Sequence, residues 1–98
     1  MEGSAHGFDW DSANTKKCEK HGVSIAEIED LFKNLPLVYP DRKHSSDAEA
    51  RYSAVGRNED GRGIFVAFTF RMRNGQRLIR PISTRYMHRD EIEYYESL

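Results

Sequence analysis

The spacing of apolar residues changes near the middle of the chain, from the three- and four-residue steps of helices to the alternation of strands. Ile25, Ile28, Leu31, Phe32 and Leu35 trace one apolar stripe. At its start, Ser24-Ile25-Ala26-Glu27 has the form of a capping box, in which serine and glutamate each satisfy the other's backbone N–H. Val23 and Ile28 occupy the staple positions around that turn, and Pro36 stops the helix. A shorter helix is predicted ahead of it, over residues 12 to about 20. Asp9 and Asp11 can each cap it, Trp10 can pack across its first turn, and His21-Gly22 ends it.

Beyond Pro36 the period is two. Leu37-Val38-Tyr39, bounded by Pro36 and Pro40, which cannot donate to a ladder, reads as a short edge strand, and a polar loop over 41–47 follows. Residues 49–57 alternate as a strand, with Arg51, Ser53, Val55 and Arg57 on one face and Tyr52 and Ala54 on the other; residues 58–61 turn the chain back. The nearly all-apolar run at 64–70 predicts a central strand buried on both faces. Asn74-Gly75 predicts the hairpin that joins it to a last strand over 77–83. Pro81 removes a ladder donor from that strand, which calls for a bulge or an exposed edge. A final helix over about 89–97 carries Ile92 and Tyr95 inward, with Met87 before it. The predicted order, α-α-β-β-β-β-α, is an α+β fold: a small antiparallel sheet of about four strands with two N-terminal helices and one C-terminal helix, packed on one of its faces. Residues 1–7 are expected to be a flexible N-terminus and residues 8–98 one domain, because 98 residues supply a single modest core.

Composition narrows the class. With 38% hydrophobic and 32% charged residues the chain is ordinary for a globular protein, and no run approaches the roughly 20 apolar residues of a membrane span. Residues 1–7 have neither a basic nor an apolar signal-peptide region, and the lone Cys18 cannot form an intramolecular disulfide, so a cytoplasmic protein is expected. One cysteine and four scattered histidines offer no zinc-ligand spacing; no metal and no cofactor are expected.

Charge changes the picture. Residues 1–61 hold 8 basic and 12 acidic side chains, residues 62–89 hold seven arginines and no acid, and residues 90–98 hold four acids and no base. An arginine-rich segment inside a chain of net charge −1 points to a polyanion, although strand-rich sequence also carries arginine on solvated faces and edges. Arg80 argues for the anion. It lies between Leu78 and Ile82 on one face of the predicted strand, and a charge among apolar neighbours needs a partner.

Several stretches together resemble one family. Phe8-Asp9-Trp10-Asp11, Lys20-His21-Gly22-Val23-Ser24, Glu49-Ala50-Arg51 with Gly56-Arg57, and Ile79-Arg80-Pro81-Ile82-Ser83-Thr84-Arg85 resemble, in order and separation, the BrnT family, over about residues 8–96. The resemblance implies a RelE-like fold and a ribonuclease toxin of a bacterial type II toxin–antitoxin system. Such a toxin would block translation by cleaving RNA, and the sequence leaves open whether that RNA is ribosome-bound mRNA. A BrnA-type antitoxin, which also binds the operon's DNA, would neutralise it in a hetero-oligomer, so the toxin meets DNA only through its partner and meets no membrane. Two features depart from the family's usual pattern: Thr84 stands where alanine is usual, and Tyr86-Met87-His88 and an acidic helix follow Arg85 in place of a further arginine-rich run.

Metal-free RNA cleavage needs a base for the 2′-hydroxyl, cations for the phosphorane and an acid for the departing 5′-oxygen. The candidate catalytic residues are His21, Lys20, Glu49, Arg57, Arg80 and Arg85, and the candidate RNA-binding residues are Arg51, Ser83 and Arg77. Imidazole is the side chain best suited to proton transfer near neutrality, which makes His21 the preferred base or acid. Arg57, Arg80 and Arg85 are expected at or near strand ends of one meander, where guanidinium groups grip phosphate. Arg71 and Arg73 flank the Asn74-Gly75 turn and are expected to be solvated. Structural roles compete. His21 can close the first helix, Glu49 and Arg51 can pair on the sheet, and Tyr95 can be core. The rival function is a non-catalytic interaction module whose arginine-rich face binds an acidic partner, a reading that the net charge of −1 favours.

Overall fold

A computed structural model describes residues 5–98. Helix α1 (Ser12–Glu19) is capped by Asp11, whose carboxylate accepts the Ala13 and Asn14 N–H groups while Asn14 Oδ1 accepts the Asp11 N–H. Asp11, not Asp9, is therefore the cap. Helix α2 (Ile25–Lys33) begins with the predicted box: Ser24 Oγ accepts the Glu27 N–H and Glu27 Oε1 accepts the Ser24 N–H, each at 3.1 Å. Val23 and Ile28 are buried at the staple positions. Leu35 leaves the predicted stripe, with φ 54° and 73% exposure, because the following Pro36 clashes with a helical residue before it. Trp10, which precedes α1, reaches past that helix, its indole N–H donating to Glu29 of α2 at 2.9 Å.

Strands β1 (Leu37–Pro40), β2 (Tyr52–Arg57), β3 (Gly63–Arg73) and β4 (Gln76–Tyr86) form an antiparallel meander in that spatial order. β2 starts later than the alternation predicts. Ser45 Oγ accepts the Arg51 N–H at 2.8 Å and donates to the Asp41 carbonyl at 2.7 Å, so the chain before Tyr52 closes a loop. Asn74 and Gly75 both have positive φ, 52° and 77°, as a primed two-residue hairpin turn requires. At Pro81 the ladder slips: Ala67 faces Ser83 and Phe68 faces Pro81, leaving Ile82 as the extra residue of a bulge. Beyond β4, residues 6–9 run alongside it in parallel. His6 N–H donates to the Arg77 carbonyl, Ile79 N–H to the Gly7 carbonyl and Asp9 N–H to the Ile79 carbonyl, at 2.8–2.9 Å. Part of the segment expected to be a flexible N-terminus, His6 and Gly7, thus covers the β4 edge; residues 1–4 lie outside the described residues.

Directly opposed residues share a face of the sheet. One face, with Ala54, Ile64, Val66, Phe68 and Ile79, packs on Cys18, Val23, Ile28, Leu31 and Phe32 of the first two helices and their junction. Phe32 meets Phe68 edge-on at 4.9 Å between ring centroids. Thr84 is buried on this side and donates its hydroxyl to the Cys18 carbonyl, so the threonine ties β4 to α1. Burial pushes the Cys18 thiol up to about 11, which makes it a packing group and not a nucleophile. Helix α3 (Arg89–Glu96) lies on the opposite face, where Ile92 and Met87 pack with Val55 beside Phe65 and Tyr95. The expectation that all helices share one face is corrected, because Val55 and Phe65 alternate out of the first core and need a cover of their own. That cover is partial. Ala67 in the central strand stays half-buried, as do its register neighbours Ser53 and Ser83, so β3 is not buried along its length on both faces.

Helix α3 sits so close to β3 that a Cβ on Gly63 would lie 2.7 Å from Ile92 Cβ, whereas a Cβ on Gly56 would meet the flexible end of Leu31 at 2.6 Å. Gly63→Ala should therefore lift α3 and cost about 1–3 kcal/mol, with Gly56→Ala costing less, in urea unfolding. Equal midpoints for Gly63→Ala and the parent protein would show that α3 is not held at this contact.

Candidate active site

Arg80 is half-buried but not unpartnered. Its side chain is 14% exposed, and Nη1 lies 2.9 Å from Asp11 Oδ2 and 3.2 Å from Asp9 Oδ2. Asp11 thus caps α1 with one oxygen and pairs with Arg80 through the other. The hydrogen bond from Arg80, then that from the Asn14 N–H, holds the Asp11 carboxyl below its ordinary range, and the same pairing raises the Arg80 pKa. Asn14, which is buried, donates its amide to the Asp9 and Pro81 carbonyls, each at 2.9 Å. The anion that the apolar setting of Arg80 demands comes from this chain's own Phe8-Asp9-Trp10-Asp11 motif.

The other arginines of the basic segment are likewise engaged. Arg85 forms a two-pronged pair with Glu91 at 2.7 and 2.9 Å; outside the segment, Arg57 does so with Glu96 at 2.7 and 2.8 Å. Arg71 meets Glu49 at 3.0 Å, Arg73 meets Asp9 at 3.3 Å and Arg89 meets Glu93 at 3.3 Å. Arg62 lies 3.8 Å over the Tyr86 ring and Arg77 lies 3.6 Å over the Phe70 ring. The charge separation of the sequence does not persist in space, because acids from both flanking segments fold onto the arginines. Most of these pairs are solvent-exposed and therefore weak, so an incoming phosphate can replace the carboxylate.

A cleft of about 210 Å³ gathers Lys17, Glu49, Arg51, Arg71 and Arg80 beside Asn14. The Glu49 carboxylate lies between Arg51 Nε and Arg71 Nη2, 3.0 Å from each. Burial pushes the Glu49 pKa up, but the hydrogen bonds from Arg51 and Arg71 outweigh it and leave a group that stays ionised near neutrality. Thr69 anchors the loop that carries this pair, donating its hydroxyl to the Ala50 carbonyl at 2.7 Å. Guanidinium and ammonium groups can grip a phosphate and stabilise added negative charge on it, and the carboxylate among them can accept a proton.

Of the residues singled out from the sequence, the structure brings Glu49, Arg51 and Arg80 together. Ser83 lies on the open part of the same sheet face, in register with Ala67, and Arg85 follows it opposite Phe65. Arg57 is farther off. It faces Gly63, six residues along β3 from the Thr69 that faces Arg80, which places the two about 20 Å apart. Arg80 is accordingly a mid-strand residue and not one near a strand end. Lys20 and His21 are exposed at the junction of α1 and α2, where Gly22 adjoins Tyr86, outside the cleft. Arg77 stacks on Phe70 towards the hairpin turn. Arg71 and Arg73 are exposed as expected, yet each has a carboxylate partner, and Arg71 lines the cleft. Sequence reasoning passed over Lys17 and Asn14. Alternation from Ala67 through Thr69 could have placed Arg71 on the open face; nothing in the sequence marks Lys17 beyond its position one turn after Asn14.

The model of the ribonuclease toxin family BrnT, of type II toxin–antitoxin systems, matches residues 10–91. No curated protein matches the chain.

Asp11, Glu91 and Glu96 are each held below their ordinary range first by a hydrogen bond from an arginine. A depressed carboxyl adds stability that is fully present above its unfolded-state pKa, near pH 4, and is lost as pH falls through the folded-state value. Urea unfolding should therefore show lower stability at pH 3 than at pH 5, with a smaller difference in Asp11→Asn. A flat profile across that window would mean that these pairs contribute nothing.

Proposed function

Because the chain belongs to the BrnT family of ribonuclease toxins of type II toxin–antitoxin systems, we propose that it is a metal-independent endoribonuclease that takes the scissile phosphate of RNA into the cleft at Glu49. The observation that carries this reading is the Glu49 carboxylate clasped by Arg51 and Arg71 at an open cleft with Lys17 and Arg80. Glu49 takes the proton of the 2′-hydroxyl, that oxygen bonds to phosphorus, and Arg51 and Arg71 turn from the carboxylate to the developing phosphorane. The bond from phosphorus to the 5′-oxygen then breaks, Lys17 supplies the proton to that oxygen, and the products are a 2′,3′-cyclic phosphate and a 5′-hydroxyl. A single carboxylate among cations is a poor site for a divalent metal ion, which favours direct attack.

Arg80 works through position on this reading, since Asp9 and Asp11 already hold it. Ser83 and Arg85 guide the strand across the open face, and Arg57, Arg77, Lys20 and His21 contact flanking RNA or the antitoxin. The protein partner is a BrnA-type antitoxin that covers the face and carries the complex to operator DNA, and the cytoplasm is where RNA, ribosome and antitoxin meet. One observation favours the rival interaction module: the arginines already hold carboxylates, so an acidic protein segment could exchange with them.

Production of the chain alone in a bacterium should arrest growth and amino-acid incorporation, with relief by the antitoxin. RNA cleavage should persist in EDTA and leave 2′,3′-cyclic or 3′-phosphate ends. Normal growth at confirmed expression would favour the interaction module, and 3′-hydroxyl ends would contradict the mechanism.

Single variants separate chemistry from scaffold. Glu49→Gln, Arg51→Ala and Arg71→Ala should each lower the cleavage rate about a hundredfold or more with folding retained. Arg73→Ala, outside the cleft, should cost tenfold at most. Arg80→Ala should instead lower stability by roughly 1–3 kcal/mol, since Asp11 loses its cation and Asp9 keeps only Arg73. Equal rate losses at Arg51, Arg71 and Arg73 in folded variants would reveal a diffuse binding surface and remove Glu49 from the reaction.

A further inference from the structure

A second cationic cavity lies at the other end of the sheet. It encloses about 580 Å³ between the β2–β3 turn and α3, and Arg57, Arg62, His88 and Arg89 line it, with Glu93 as its carboxylate. Gly61 and Gly63 line it as well, leaving its floor free of long side chains. Two of its arginines are lightly committed: the Arg89 side chain is 86% exposed and meets Glu93 at 3.3 Å, and Arg62 is exposed and rests on the Tyr86 ring. Apart from His88 no ring lines the cavity, so it suits a sugar–phosphate backbone better than a stacked base.

The two cationic sites share one track. Arg80 and Ser83 face Thr69 and Ala67 in register on the open part of the sheet face. Beyond them α3 covers Phe65 and Gly63, so the track leaves the sheet past the exposed Arg85 and rounds the start of α3 at His88 and Arg89 into the second cavity. Six residues of β3 separate Thr69 from Gly63, a span of about 20 Å. A stacked strand advances about 3.4 Å per nucleotide, so about six stacked nucleotides, or fewer extended ones, bridge the sites. We propose that the cavity of Arg57, Arg62, His88 and Arg89 is a second phosphate-binding site, holding the backbone of the same single RNA strand several nucleotides from the cleft. The proposal rests on the cleft at Glu49 being an RNA site.

The test uses the full chain and non-cleavable 2′-O-methyl oligouridylates of two and eight nucleotides, with binding followed by fluorescence anisotropy. The eight-nucleotide strand should bind at least about tenfold more tightly than the two-nucleotide strand. Arg62→Ala with Arg89→Ala should remove most of that advantage and shrink the salt dependence by about 1.4, the value for two phosphate contacts, without changing dinucleotide binding. Glu93→Gln, which removes the opposing charge, should tighten the longer strand alone. Equal binding of both lengths, an octanucleotide indifferent to the double substitution, or equal losses at both lengths would overturn this proposal and leave the cleft reading standing. No binding at either length would remove both. If instead an oligoglutamate peptide binds and only its affinity falls in the double variant, the cavity serves an acidic protein segment and the RNA track is wrong.

Discussion

Asp11 joins local and long-range structure in one side chain. One oxygen caps α1 and the other meets Arg80, so the helix start and the placement of a half-buried strand cation depend on the same carboxylate. Asn14 reinforces the junction by donating both to Asp9 and to Pro81 at the bulge. Asp9 lies 71 positions from Arg80 in the chain, so this contact closes nearly the whole domain. Closing such a loop costs entropy that a single exposed ion pair does not repay. Here cap, half-buried cation and strand-edge hydrogen bonds act together, and residues 6–9 extend the sheet as they deliver Asp9 and Asp11 to Arg80.

The remaining arginines follow a weaker version of the same arrangement. Glu49, Glu91, Glu93 and Glu96 hold guanidinium groups in place without burying them deeply, so each fork is oriented before an outside anion arrives. A phosphate that displaces such a carboxylate meets donors already arranged for two-pronged contact. Long-range attraction is the cost: with a net charge of −1 the chain as a whole does not draw in a polyanion, and recognition must come from short-range geometry.

What the sequence revealed follows the range of each interaction. The capping box at Ser24, the staple, the Asn74-Gly75 hairpin and the bulge at Pro81 all obey rules that span a few residues, and all are present. The face chosen by α3 depends on Val55 and Phe65, more than twenty residues away, and alternation alone says that two faces exist without saying which helix covers either. Residues 6–9 join β4 through main-chain groups, which leave no side-chain pattern to read. For the candidate site, Glu49, Arg51 and Arg80 stood out as parts of motifs, whereas Arg71 and Lys17 reach the cleft through register and helix placement. That Arg80 required an anion was legible from its apolar neighbours. Its partners were not, because they come from the far end of the chain.

The uncovered part of the second sheet face is written into the side chains that form it. Helix α3 has eight residues and fully buries only Ile92, enough to cover Val55 and the Gly63 end. Past that point the register row is Tyr39, Ser53, Ala67 and Ser83. Large apolar residues in place of Ser53, Ala67 and Ser83 would have made a hydrophobic patch in need of another helix. A serine, an alanine and a serine instead leave a shallow, wettable floor that needs no cover. Because this floor lies between the cleft at Glu49 and the end where α3 begins, the short helix and the small side chains have a common effect: they keep the face open from Thr69 as far as Arg85, where the helix closes it.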